Sequence, residues 1–283
     1  MFRLSEWFKL SPLFLAAAIT VSVLTLIFIM ILSEIQDLAS LPAFITFNGL
    51  WFPTEGLFDL TPMLLSTLLI AVCALVFSIP ISIVQAYWLI FIAKKNGVWS
   101  ILVKRFIEVF SGFPSVVFGL WGLTEIVPLI AKWTSPGFGL LASAVVLAAM
   151  ISPYLTLLFE ANFLSAPTQL KLVSNSLGIT HQKFLFQILI PYSIKRLVQS
   201  SALALGRGIG ETMAIVMVAG NVVNFPTDFI KPIRTITGAI ALEMGYAVDG
   251  HRSALFMAGF ILLVLSLLIA FLTQDKMEQH DAN

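Results

Sequence analysis

Long apolar runs separated by short polar stretches set the frame of this chain. A bilayer core of roughly 30 Å takes about 20 helical residues to cross. Six runs meet that length, at approximately 12 to 33, 63 to 92, 106 to 130, 138 to 160, 196 to 219 and 253 to 273. The pattern predicts an all-α polytopic membrane protein of about six transmembrane helices. Residues 1–62 read as a first helix with an external loop, 63–273 as a five-helix core, and 274–283 as a tail. The first run resembles a signal peptide, but Leu13 to Leu32 is longer than the usual apolar region of about 7–15 residues, and Ala16 to Ala18 lie at the wrong end for cleavage. It is read as a retained helix. Two connections exceed a simple turn: Ser33 to Pro62, which carries Glu34, Asp37, Glu55 and Asp59 but no Lys or Arg, and Asn221 to Arg252, with a short helix predicted from Thr235 to Tyr246.

Composition removes the soluble alternative. With 59% hydrophobic and 11% charged residues among 283, the chain has more apolar surface than one water-soluble core hides. The net charge of +1 carries no sign of nucleic acid, whereas the placement of the charges is informative. With the N-terminus in the cytoplasm, Arg3, Lys9, Lys94, Lys95, Lys104, Arg105, Lys171, Lys183, Lys195, Arg196 and Lys276 fall inside, against Lys132, Lys231, Arg234 and Arg252 outside. The excess of basic residues predicts that both termini and the 93–105 loop are cytoplasmic. Cys73 has no second cysteine to pair with. His181, His251 and His280 lie outside the spans without metal-ligand spacing, so no metal site is expected and each histidine is read as solvated.

Arg207 remains inside a span. It lies eleven residues past Arg196, roughly 16 Å into the bilayer at 1.5 Å per residue. Such a charge costs about 2.5–3.5 kcal/mol on insertion scales and normally faces a bundle interior or a watery path. Glu211 follows four residues later, which on a continuous helix puts it on the same face. Gly206, Gly208 and Gly210 leave little bulk around the two. Either the pair neutralises itself and locks packing, or Arg207 presents its guanidinium to an anion such as phosphate while Glu211 orients it. Upstream, Gly112 and Pro114 in Gly112-Phe-Pro-Ser115 predict a bent or broken helix inside the membrane. Such breaks often line transport paths, although proline kinks are also common in idle helices.

The segment from 161 to 195 is the largest predicted cytoplasmic loop. Pro167 suits the first turn of a short helix, and Gly178 the turn after it. A second helix is expected from Thr180, as its cap, to Pro191, as its end, with Phe184, Leu185, Ile188 and Leu189 on one face. This helix-turn-helix is either a membrane-surface element or a docking element for a soluble protein. No Gly-x-x-x-x-Gly-Lys-Ser/Thr motif is present, so an ATP site would belong to a partner.

Several runs carry a family resemblance. Phe113-Pro-Ser-Val-Val-Phe-Gly-Leu-Trp-Gly-Leu123, Gly206-Arg-Gly-Ile-Gly-Glu-Thr-Met-Ala214 with Gly220-Asn221, and Thr237-Gly-Ala-Ile-Ala-Leu-Glu243 resemble the signature runs of the PstC phosphate permeases. Gly178 with Ile188-Leu-Ile-Pro191 is similar to the cytoplasmic motif of binding-protein-dependent ABC importers. The likeness spans roughly residues 60 to 272. It implies a type I ABC importer permease fold in a bacterial inner membrane. The expected partners are a second, related permease in a heterodimer, two cytoplasmic ATPase subunits that use ATP and Mg, and an external phosphate-binding protein. The resemblance implies Arg207, Glu211, Ser115 and Thr212 along the substrate path. It implies Leu172, Val173, Ser174, Gly178, Ile188 and Pro191 in ATPase coupling. This chain would be a transport subunit, not an enzyme, with no cofactor of its own. Leu172-Val173-Ser174 stands where the family has Glu-Ala-Ala, and Gly208 where alanine is usual. A permease for molybdate or sulfate, or a channel or scaffold without an ATPase, are the competing readings.

Overall fold

The computed structural model describes residues 4–35, 44–93 and 97–274, without the side chains of residues 4–13, 168, 175 and 272–274. Asp37, Lys94, Lys95, His280 and the predicted tail beyond Gln274 therefore lie outside the described residues. Four of the predicted runs are helices long and apolar enough to cross a membrane. They belong to α1 (Leu4–Glu34), α2 (Thr61–Tyr87, prolonged by a π-turn Trp88–Ile92), α6 (Leu140–Leu164) and α12 (Asp249–Gln274). The other two are interrupted. α3 (Val98–Ser111) stops before Pro114, and the chain restarts as α4 (Ser115–Trp121), a π-turn and α5 (Val127–Ala131), bent by 99° from α3. The fifth run consists of α9 (Ile190–Ile209) and α10 (Met213–Val218), separated at Gly210, Glu211 and Thr212.

The central packing is α2 against α6, the span with the largest buried share. Small residues allow the close approach: Ala71, Ala74, Ser78 and Ser82 on α2, with Ala144, Ala148 and Ser152 on α6, are all buried. Without a hydrophobic driving force between helices in lipid, such seams rest on close packing and interhelical hydrogen bonds. The Ser78 hydroxyl donates to the Ala148 carbonyl at 3.1 Å, Ser82 to the Ser152 carbonyl at 3.0 Å, and Thr156 to Gln85 Oε1 at 2.8 Å. α4 leans on α10 through Gly119, and the π-turn after it leans on α6 through Gly122. A Cβ at Gly119 would lie 2.9 Å from Ala214 Cα, and one at Gly122 2.4 Å from Val146 Cγ2. α1 sits at the periphery against α12, joined by the Phe28 and Phe260 rings and by Arg252 Nη2 to Glu34 Oε1 at 2.9 Å.

The connection before α2 is more structured than a loop. It holds a two-stranded hairpin, β1 (Trp51–Phe52) and β2 (Leu57–Phe58). With Leu60, Met63, Ile236 and Leu255, Trp51 makes a second, smaller core at this end of the molecule, here called the hairpin end. Asp59 fixes the hairpin onto α2. Its carboxylate accepts from the Thr61 hydroxyl at 2.6 Å, Thr61 N at 2.9 Å, Gly49 N at 2.7 Å and Thr46 N at 3.4 Å. Burial pushes this carboxyl's pKa up, but the four hydrogen bonds outweigh burial and hold it below 3.8. The stabilisation from Asp59 is therefore complete above its ordinary titration range and is lost as pH falls through the lowered native value.

Asp59→Asn puts an NH2 group where one of the donors now points. It should destabilise the hairpin end by about 1–3 kcal/mol. Faster proteolysis between residues 44 and 60 in the variant, at neutral pH, is the expected readout. Identical cleavage rates would show that the four bonds do not hold this segment.

Candidate functional site

Arg207 lies in the last turn of α9, and its neighbour Gly208 packs into the central seam. A Cβ at Gly208 would stand 3.2 Å from Ile151 Cδ1 and 3.6 Å from Ala71 Cβ. Ala71 and Ile151 are ten and eleven residues from the starts of α2 and α6, or about 15 Å along each helix. This is half of a hydrocarbon core of about 30 Å. Arg207 is exposed on a stripe with Leu203 and Gly210, and a Cβ at Gly206 would meet nothing within 4 Å. Its guanidinium lies over the Tyr154 ring, 4.8 Å from the centroid, a cation–π contact that leaves the fork's edge open.

Glu211 is not on this face. Among the described residues, Arg207 and Glu211 form no ion pair with one another. The spacing of four assumed a continuous helix, whereas α9 ends at Ile209 and the chain turns at Gly210. Glu211 instead serves the break. Its Oε1 accepts from Ala214 N at 3.3 Å, at the start of α10, and its carbonyl accepts from the Thr237 hydroxyl at 2.9 Å. Thr212 occupies the N-cap position of α10, and its hydroxyl donates to the Gly210 carbonyl at 3.3 Å. Ser115 opens α4, the helix packed on α10, and Gly112 and Pro114 lie in the bend before it. The structure thus places Ser115, Glu211 and Thr212 at two neighbouring helix breaks, with Arg207 one turn below the second.

The missed contributor is Thr237. It stands in α11 (Ile236–Glu243), a helix present where one was expected and capped by the Thr235 hydroxyl, which accepts from Gly238 N. Beside it, Ile236 N donates to Thr67 Oγ1 of α2 at 3.1 Å. At the far end of α11, Glu243 collects three donors or partners. Trp51 Nε1 donates at 2.9 Å, His251 Nε2 lies at 2.8 Å, and the Arg234 guanidinium pairs with the other carboxylate oxygen. His251, expected to be solvated, is buried here, because the hairpin folds Trp51 and Phe58 over it.

At the opposite end lies the predicted helix-turn-helix. α7 (Thr168–Ser176) is followed by Gly178 at φ +67°, a left-handed turn that glycine adopts without strain. Leu172, Val173 and Leu177 are exposed, while Ser174 is buried. Ser174's carbonyl accepts from Ile179 N at 3.0 Å. Thr180 precedes the next helix without a side-chain cap. α8 (His181–Lys183) then runs through a π-turn, Phe184–Leu189, straight into α9. Pro191 does not end the helix as expected. It is the second residue of α9 and lies directly after the π-turn, inside a continuous helical run. Ile188 is half-buried in the π-turn. The Tyr87 hydroxyl, at the end of α2, donates to the His181 carbonyl at 3.1 Å and meets His181 Nδ1 at 3.0 Å.

The family described as binding-protein-dependent transport system inner membrane component matches residues 78–275. The chain is 30% identical over 258 residues to the phosphate transport system permease protein PstC of Xylella fastidiosa (strain 9a5c), covering 82% of this chain and 79% of that protein. It is 31% identical to the protein of the same name from Haemophilus influenzae, covering 81% and 80%. Among solved structures, an inward-facing MetNI methionine ABC transporter chain matches with a TM-score of 0.61 at 19% identity, covering 80% of this chain and 97% of that one. A chain of an amino acid ABC transporter matches at TM-score 0.55 and 19% identity, covering 80% and 95%. The two structures share the fold of this chain.

Glu243→Gln keeps the size of the side chain but removes the charge opposite Arg234, whose side chain is only 16% exposed. Breaking a buried pair in this way costs about 3–5 kcal/mol. A lower melting temperature of the purified variant is the expected outcome, and an unchanged one would mean that Arg234 is hydrated rather than paired.

Proposed function

The chain belongs to the family of binding-protein-dependent transport system inner membrane components, and on that premise we propose that it is one of two permease subunits through which inorganic phosphate enters the cytoplasm. The observation that carries this reading is Arg207, an exposed guanidinium at mid-bilayer depth on a glycine-flanked stripe. A planar fork of N–H donors suits a tetrahedral oxyanion. An anion passing along this stripe offsets the cost of holding the charge in lipid. The names of the relatives support phosphate over other oxyanions.

In this reading a second, related permease faces the α9 stripe and completes the path. Of two cytoplasmic ATPase subunits, which bind ATP and Mg, one docks on the exposed Leu172, Val173 and Leu177 of the α7 segment. An external phosphate-binding protein delivers the substrate at the hairpin end. Both termini then lie in the cytoplasm of a bacterial cell. Access alternates as the ATPases move α7 and α8, and with them α9.

Arg207→Gln tests the substrate site. Glu211 is engaged with Ala214 N, so this single change orphans no carboxylate. Phosphate uptake into proteoliposomes that hold the complex, binding protein and internal ATP should fall at least about tenfold, equivalent to about 1.4 kcal/mol. Assembly and basal ATP hydrolysis should persist, whereas near-normal uptake would remove Arg207 from the path. For the coupling segment, Gly178→Val forces a β-branched residue into positive φ at a cost of about 1–3 kcal/mol. Weakened ATPase retention on an affinity column is expected, and full retention with full uptake would detach this turn from coupling.

A further inference from the structure

A cavity of about 640 Å³ opens at the α7 end, enclosed by the π-turn after α2, by α3, by the end of α6 and by α7. Its walls are largely apolar, with Phe91, Ile101, Phe163 and Phe184 among them. Three charges face it. Glu160 is buried and pairs with Lys104 at 2.6 Å, which makes that couple neutral. Lys171 is left, its Nζ 4.8 Å from the centroid of the Phe91 ring. Among the described residues the cavity is therefore an apolar chamber with one cation at its edge, Lys171, that no carboxylate pairs.

Its depth in the membrane follows from the helices around it. Glu160 is twenty residues into α6, or about 30 Å from the hairpin end, where hydrocarbon meets headgroups. α3 packs on α6 here, its Lys104 bonded to Glu160, and exposes Trp99, Leu102 and Phe106 on its outer side. Apolar contact below and a basic group at headgroup height suit an amphiphile with a negative head.

We propose that this cavity binds one anionic phospholipid, its acyl chain between Phe91, Ile101, Phe163 and Phe184 and its phosphate at Lys171. This site stands apart from the Arg207 path and depends on the membrane fold, not on the identity of the substrate. A free phosphate ion shares the headgroup chemistry but leaves the apolar walls bare, so the lipid is the occupant.

Native mass spectrometry of the full-length protein, purified with its subunits and titrated with phosphatidylglycerol or phosphatidylcholine of identical acyl chains, tests this site. Phosphatidylglycerol should be retained at least about tenfold better, a difference of about 1.4 kcal/mol. Lys171→Gln should reduce its retention to the phosphatidylcholine level. Ala166→Trp, which fills the cavity from its lining, should reduce the retention of both. Inorganic phosphate should not displace the lipid. In the unmodified protein, a photoactivatable phosphatidylglycerol should crosslink to peptides containing Ile101, Phe163 or Leu170. Equal retention of the two lipids, a preference indifferent to Lys171→Gln, displacement by inorganic phosphate, or crosslinks confined to α1 and α12 would each overturn the assignment. So would loss of ATPase retention in Ala166→Trp with lipid retention intact, which would make the cavity a protein-docking groove.

Discussion

In hydrocarbon, a backbone N–H or C=O without a partner costs several kcal/mol, so a spanning helix is interrupted only where protein replaces the lost bonds. The two breaks in this chain meet that condition in different ways. At Gly210 to Thr212, the turn is closed by Thr237 from α11 and by the Glu211 side chain reaching Ala214 N. At Gly112 to Pro114 the chain closes the break on itself: Gly112 N donates to the Val109 carbonyl and Phe113 N to the Phe110 carbonyl, both at 3.2 Å, and the Pro114 carbonyl accepts from Val117 N at 3.1 Å. Only at Gly210 to Thr212 does a side chain from a distant part of the sequence, Thr237, supply a bond among the described residues.

The α2–α6 seam supplies the fixed reference for both breaks. Serine and alanine let the two backbones approach, and Ser78, Ser82 and Thr156 bond across. Gly208 packs α9 against this seam, while Arg207 on the next position stays exposed. Among the described residues no salt bridge holds the Arg207 charge, and packing alone positions it. Tyr154, on α6 itself, adds the aromatic face beneath the guanidinium.

The sequence was legible where local chemistry decided the outcome. Apolar length located the spans, Pro114 the bend, Gly178 the left-handed turn, and Thr235 the start of α11. It was misleading where a local pattern was broken by a distant group. The interval between Arg207 and Glu211 has helical spacing, and nothing near it announces that Thr237, 26 residues away, ties the Glu211 carbonyl into a turn. His251 looked solvated because Trp51 and Glu243, which bury it, lie on different segments, Trp51 and Glu243 being 192 positions apart. Pro191 read as a terminator because proline inside a helix usually ends or kinks it, and only the structure shows the run continuing from the π-turn through this position.

That π-turn joins α8 to α9 without a loop, and the result is a lever arm. From His181 to Arg207 the chain is one uninterrupted helical rod of roughly 40 Å, with the Tyr87 hydroxyl bearing on its lower end like a pivot. A tilt applied at residues 181–183 reaches the guanidinium as a sideways swing whose amplitude grows with distance from that pivot. The rod stops at Gly210, so α10, clamped to α4 and α11, does not swing with it. The mismatch between the moving arm and the stationary stub falls at Gly210, where the backbone already turns.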